Sequence, residues 1–166
     1  EIDSTSGNVL VNSGQIAGNS GTIEVVAGQG GIVTGAGTIQ LNATIGVTVN
    51  DVLTTANGTI TIDADVDNNA VGSLISGADG DVTSGGANVT VIAADVSLSG
   101  DIDAGAGTLF LQPSTAASIG LGGAAGSFNL TDAEADLITA AVLEIGLPTS
   151  LAISVGDLSL APGKVA

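Results

Sequence analysis

Gly37-Thr38-Ile39-Gln40-Leu41 and Gly58-Thr59-Ile60-Thr61-Ile62 are two copies of one five-residue pattern. A small residue is followed by a polar one, then by apolar, variable and apolar positions. Gly21-Thr22-Ile23-Glu24-Val25 and Gly107-Thr108-Leu109-Phe110-Leu111 repeat it closely. Looser copies begin at Gly7, Ala87, Gly126 and Ala141, so the mean step between the eight windows is about 19 residues. Alternation with period two is the mark of a strand with one buried face. The third and fifth residues then point inward: Ile23 and Val25, Ile39 and Leu41, Ile60 and Ile62, Val89 and Val91. The fourth points outward, and it reads Leu10, Glu24, Gln40, Thr61, Thr90, Phe110, Asn129 and Glu144. Six of these eight are polar, which supports the assignment of faces. Leu10 and Phe110 break the pattern and are candidates for a chain–chain contact, or for cover by a neighbouring loop.

Shorter strands are expected after most windows, at Ile45-Gly46-Val47-Thr48, Ala64-Asp65-Val66, Asp95-Val96-Ser97-Leu98 and Ser118-Ile119. Glycine-rich clusters separate them, and glycine turns corners that other residues resist. Helical periodicity is confined to Thr131-Asp132-Ala133-Glu134-Ala135-Asp136-Leu137-Ile138, where Thr131 and Glu134 form a capping box. One short helix near 131–140 is predicted. It separates coils over 1–130 from further coils or a carboxy-terminal extension over 141–166. Short strands, glycine corners and a repeat near twenty residues predict an all-β chain: a parallel β-helix (β-solenoid) of about eight coils. One coil cannot bury its inner face alone, whereas stacked coils pair their backbones and build aliphatic ladders. The alternative is an antiparallel β-sandwich. It is opposed by the absence of Trp and Tyr, which sandwich cores often use to fill the space between sheets.

Composition narrows the chemistry. The 166 residues include 17 acidic and one basic side chain, Lys164, for a formal net charge of −16. No nucleic-acid partner is expected, because phosphate contacts need clustered Lys and Arg. Membrane insertion is not expected, since no apolar run approaches the ~20 residues of a span. The chain has no Cys and no His. Zinc, haem and iron–sulfur ligation by those residues and histidine-assisted nucleophilic catalysis are therefore outside its means. Disulfides do not hold the fold. The 44% hydrophobic content is ample for a core, so the chain is read as folded despite its charge. Glu1-Ile2-Asp3 does not read as a signal peptide, and the chain reads as an excerpt or processed product.

With the coil pattern and the segment Leu130-Thr131-Asp132-Ala133-Glu134-Ala135-Asp136-Leu137-Ile138-Thr139-Ala140-Ala141-Val142-Leu143-Glu144-Ile145-Gly146 in view, the chain resembles the large filamentous-haemagglutinin-like exoproteins of bacteria. In that family such a segment looks like a recurring linker between β-helical stretches. The resemblance implies a right-handed β-helix, secretion, an extracellular place on the bacterial cell surface, and a structural or adhesive role without catalysis. Its partners would be flanking coils of the same large protein, another copy of itself, or glycans on a host or neighbouring cell. No residue's role carries over.

Candidate sites are few. Asp63, Asp65 and Asp67 alternate at i, i+2, i+4. On a strand they would share one outward face, where a hard cation such as Ca²⁺ would relieve their repulsion. The competing reading is a solvated acidic stripe. Asp79 with Asp81 and Asp101 with Asp103 are weaker versions, and Asp favours turns for its own reasons. Paired carboxylates can hydrolyse glycosides, but no Arg, His or Trp accompanies them here, so no enzyme is expected and no catalytic residue is assigned. Four windows fit the N-glycosylation acceptor pattern, at Asn42, Asn57, Asn88 and Asn129. Three functions follow: a shaft or adhesive segment of a surface exoprotein, a subunit stacking end to end into a filament, and a calcium-responsive binding module.

Overall fold

The computed structural model describes residues 1–14 and 21–165. It is nearly all β, with parallel strands in a nearly closed, solenoid-like sheet. The chain winds in passes. The first holds β1 (Ile2–Ser4), β2 (Val9–Ser13) and β3 (Thr22–Val25). The second holds β4 (Ile32–Thr34), β5 (Ile39–Ala43) and β6 (Gly46–Val49). The third holds β7 (Leu53–Thr55), β8 (Ile60–Asp63) and β9 (Ser73–Ser76). The fourth holds β10 (Val82–Thr83), β11 (Val89–Ala93) and β12 (Val96–Ser97). Then β13 (Ile102–Pro113) runs unbroken where earlier passes turn a corner. It is followed by β14 (Ile119–Leu121), β15 (Phe128–Leu130), the four-residue helix α1 (Asp132–Ala135), β16 (Ile138–Ile145) and β17 (Ile153–Val155).

Like strands stack on like. The first wall is β1-β4-β7-β10, the second β2-β5-β8-β11, and β13 and then β16 cover both. The third wall is β3-β6-β9-β12. Every strand pairing among the described residues is parallel. This corrects the antiparallel sandwich, whose hairpins would pair consecutive strands in opposite directions.

The registers give the inner columns. Val9, Ile39, Ile60, Val89, Leu109 and Leu143 are successive partners, and so are Val11, Leu41, Ile62, Val91, Leu111 and Ile145. The first wall adds Ile2, Ile32, Leu53, Val82, Ile102 and Ile138. The middle members of each column are buried; both ends of the second-wall columns are less so, whereas in the first wall Ile2 is exposed and Ile138 fully buried. Six strands therefore stack in the second wall, about 24 Å from first to last at ~4.8 Å per step. The expected eight coils over-counted. The windows at 21 and 126 lie in β3 and β15, outside this wall, and the true step varies: Ile39 pairs 21 residues on with Ile60, and Ile60 pairs 29 residues on with Val89.

Two local expectations also change. The helix is four residues rather than ten, although Thr131 caps it and the box with Glu134 forms as read. Ile138 and Ala140 leave helical geometry because the first wall needs them, and Ile138 completes the inner column on Ile102. Consequently β16 crosses the boundary placed at 140. Ala64-Asp65-Val66 is a turn rather than a strand.

Between β14 and β15 the chain makes its tightest return. Ile119 pairs in parallel with Phe128, nine residues on, where parallel neighbours ordinarily need a connection of a dozen residues or more. Glycine makes this possible. A Cβ on Gly126 would lie 2.2 Å from the Gly120 nitrogen, and Gly122 and Gly123 have φ of +60° and +81°.

Candidate functional site

The outer face of the second wall carries little charge for so acidic a chain. Its middle column reads Leu10, Gln40, Thr61, Thr90, Phe110 and Glu144, each the register partner of the next. A parallel column carries Asn12, Asn42, Asp63, Ile92 and Gln112. The third holds Asn8, Thr38, Thr59 and Asn88 just before their strands, then Thr108 within β13 and its partner, the exposed Val142, within β16. Only Asp63 and Glu144 in these columns are charged. By contrast, the outer side of the first wall carries Asp3, Asp81, Asp101 and Asp103. Amide side chains lace the neutral face across passes. Asn42 Nδ2 donates to Asn12 Oδ1 at 2.7 Å, and the Thr38 and Thr108 amides donate to Asn8 and Asn88 Oδ1.

Leu10 and Phe110 both belong to this face. Leu10 is 59% exposed and Phe110 is half-buried. They lie in the first and fifth passes, about 19 Å apart, so within one chain they do not meet.

The three aspartates part company. Asp63 ends β8 half-buried on the neutral face, and its Oδ1 accepts the Asp65 amide at 3.2 Å. Burial and the neighbouring Asp65 charge push its carboxyl above the usual range, partly opposed by that backbone bond. Asp65 is fully buried rather than outward. Its carboxylate accepts the amides of Asn69 and Ala70 and the hydroxyl of Ser114. It thereby pins the turn in which Asn68 and Ala70 take φ of 53° and 64°. Asp67 is exposed and accepts from its near neighbour Asn69. The shared strand face expected for a cation is thus not formed, because the strand ends at Asp63 and the chain folds back over Asp65. Among the described residues, no group of three or more His, Cys, Asp or Glu is placed to hold a metal. Asp51 and Asp81 serve corners. Asp51 accepts the Val52, Gln29 and Gly30 amides, which hold its carboxyl below the ordinary value. Asp81 accepts the Asp101 amide.

A row of buried hydroxyls was legible but overlooked. Thr34, Thr55 and Ser84 stand three residues before Gly37, Gly58 and Ala87, and each donates its hydroxyl to the carbonyl at that corner. Ser4 accepts the Gly7 amide in the same place one pass earlier. The signal is Ser or Thr at i−3 to the small residue of each window. It ends at Ala104, and there β13 runs on without a corner, with bulges flanking Gly105. Among the described residues no buried side-chain polar atom lacks a partner.

A cleft of about 260 Å³ opens at the first-pass end, lined by Ile2, Val11, Ile23, Val25 and Ile32 with Glu1 and Glu24. It offers apolar contact between the walls. Beside it β1, β2 and β3 are edge strands. The Val9 amide donates inward to β5's neighbour Thr38, so the alternate Leu10 and Asn12 backbone groups face the free edge. At the far end Val165 pairs in parallel with Ala140, and the Ala140 amide donates to the Lys164 carbonyl. One isolated parallel bridge thus sets the last described residues beside β16.

Of the four acceptor windows, Asn42, Asn88 and Asn129 are engaged in bonds between passes or at turns. Asn57 and Thr59 both lie exposed, at the corner between β7 and β8. No helix among the described residues is long and apolar enough to cross a membrane. Compared with protein-family models, with curated proteins and with solved structures, the chain matches none.

Proposed function

We propose that this chain is a stretch of right-handed parallel β-helix that serves as a rigid acidic shaft in a secreted bacterial surface protein of the filamentous-haemagglutinin-like kind. The observation that carries the reading is the set of inner aliphatic columns, which run through six stacked strands with polar groups turned outward or satisfied at corners. Such a body resists bending and exposes little that could react. The hand follows from the twist of strands, since about 98% of parallel crossovers are right-handed. The open edges of β1 to β3 can accept a further stacked coil. Flanking coils of the same protein are the partners this implies. The charge of −16 keeps neighbouring shafts apart.

The test is labelling of intact source cells with an antibody to the folded chain. Label on unbroken cells is the expected result. Label only after permeabilisation would discard the surface role.

End-to-end assembly of separate copies is the competing reading, and the uncovered first-pass edge favours it. Electron microscopy of the purified chain at physiological salt decides between them, because fibres one molecule wide arise only from end-to-end copies.

A further inference from the structure

We infer that Asn57 is a glycosylation acceptor, whose side-chain nitrogen takes a sugar from a diphosphate-activated donor. This stands on the geometry of one corner and does not depend on the shaft reading.

The sequence offers four windows of the form Asn-x-Thr, and the fold tells them apart. An acceptor needs two groups within reach of an enzyme: the amide nitrogen that takes the sugar and the hydroxyl two residues on. At Asn42 both are engaged. Its Nδ2 donates to Asn12 Oδ1 at 2.7 Å, and Thr44 is buried with its Oγ1 accepting the Gly21 amide at 2.9 Å. At Asn129, Nδ2 donates to the Gly126 carbonyl at 3.0 Å, and Thr131 Oγ1 is held by Glu134 in the helix cap. Asn88 is exposed, but its Oδ1 accepts the Thr108 amide, and Thr90 lies half-buried within β11. Asn57 and Thr59 form the one window in which both residues are exposed.

The corner also leaves room. The strands on either side of it keep register from pass to pass, so the corner residues line up. Asn57 falls between Ala36 of the second pass and Gly86 of the fourth. A Cβ on Gly86 would meet a single atom within 4 Å, Asn57 Oδ1 at 3.9 Å. The space beside the amide is therefore open toward the following pass. Thr55 grips both the amide and the carbonyl of Gly58. The middle of the window is thus fixed while the side chains at its two ends project.

The step is a substitution at the anomeric carbon of the sugar. A bond forms between Asn57 Nδ2 and that carbon. The bond from the carbon to the donor's phosphate oxygen breaks, and its electron pair leaves with the diphosphate. The amide proton passes to a base of the transferase. Nothing is oxidised or reduced. A nucleoside diphosphate sugar and a lipid diphosphate oligosaccharide share this chemistry.

The test uses the protein recovered from its source cells and cut after acidic residues. Cleavage at Asp51 and Asp63 releases residues 52–63, in which Asn57 is the one Asn. Mass spectrometry that keeps sugars attached should show most copies of this fragment heavier by one or more sugar residues, all on Asn57. The windows at Asn42 and Asn129 should be bare. Sugars added singly support the nucleotide-linked donor, and one fixed oligosaccharide supports the lipid-linked donor. Asn57→Gln and Thr59→Ala, produced in the same cells, should each lose the sugar. Both positions are exposed, and melting like that of the parent will show the variants folded. A bare Asn57 in the native protein would overturn the proposal. So would sugar on Asn42 or Asn129, or sugar kept on Asn57 in Thr59→Ala.

Discussion

Thr55 shows how a single hydroxyl holds a corner. Its Oγ1 donates to the Gly58 carbonyl at 2.6 Å, accepts the Gly58 amide, and lies 3.0 Å from the Ser84 carbonyl of the next pass. Thr55→Val keeps the shape and strands these groups, at a cost of about 1–3 kcal/mol; Thr55→Ser restores most of it, as urea titration will read. Asp63 makes a pH prediction. Burial and the Asp65 charge raise its folded-state pKa above the unfolded value, so the ionised carboxylate costs stability in full above the folded pKa, and the cost fades as pH falls through it. Asp63→Asn keeps an acceptor for the Asp65 amide. Its melting midpoint is expected above that of the parent at pH 7, with the gap closing towards about pH 4. A lower midpoint at pH 7 would refute the burial argument. Ala70 occupies left-handed space at φ 64°, which costs a residue with a Cβ roughly 1–2 kcal/mol. Ala70→Gly relieves that and loses part to unfolded-chain entropy, so a net gain of up to about 1 kcal/mol is expected in the same titration.

Among elements, α1 is the one that propensity alone would not sustain. Four residues are too few for a helix in isolation, and it persists because its ends are tied into the strands around it. Glu134 accepts the Thr131 amide to close the capping box and the Leu98 amide from the end of the fourth pass. Asp132 and Asp136 accept the Ser159 and Ala161 amides from the last segment. Separate carboxylate oxygens accept the Leu98 and Thr131 amides, so Glu134→Gln sets its NH2 against one of these donors and should cost about as much as Glu134→Ala, about 1–2 kcal/mol. Hydrogen exchange at Leu98 and Thr131 will show whether the loss is local to these two amides. The strands themselves were readable because alternation is a local property. Their assignment to walls was not, because windows in β3 and β15 carry the same five-residue pattern as those of the second wall, and only the lengths of the intervening corners place them elsewhere. Asp65 was misread for a related reason. Alternation continued through Ile62, Asp63 and Ala64 predicts an outward carboxylate, but the strand stops at Asp63, and Ser114, 49 residues away, supplies a buried partner.

At the scale of the whole molecule, charge and core oppose one another. Seventeen acids on a body this slim repel over distances that ions screen. The melting midpoint should therefore rise between 10 mM and 150 mM NaCl and continue upward to 1 M. A midpoint independent of salt would mean that the acids are already neutralised by partners in the fold. Mg²⁺ and Ca²⁺ at equal concentration should act alike, since no three acids converge among the described residues. The amino-acid order by itself determined that the chain is β, that Ile39, Ile60 and Val89 lie inside, and that Thr131 caps a helix. Alternation and capping are decided by neighbours within a few residues, so a linear reading contains them. A second wall of six strands rather than eight, the withdrawal of Asp65 from the surface and the end of the helix at Ala135 were decided only in three dimensions. Each depends on which residue 20 to 50 positions away comes to lie one strand spacing off, and the varying length of the corners sets that distance.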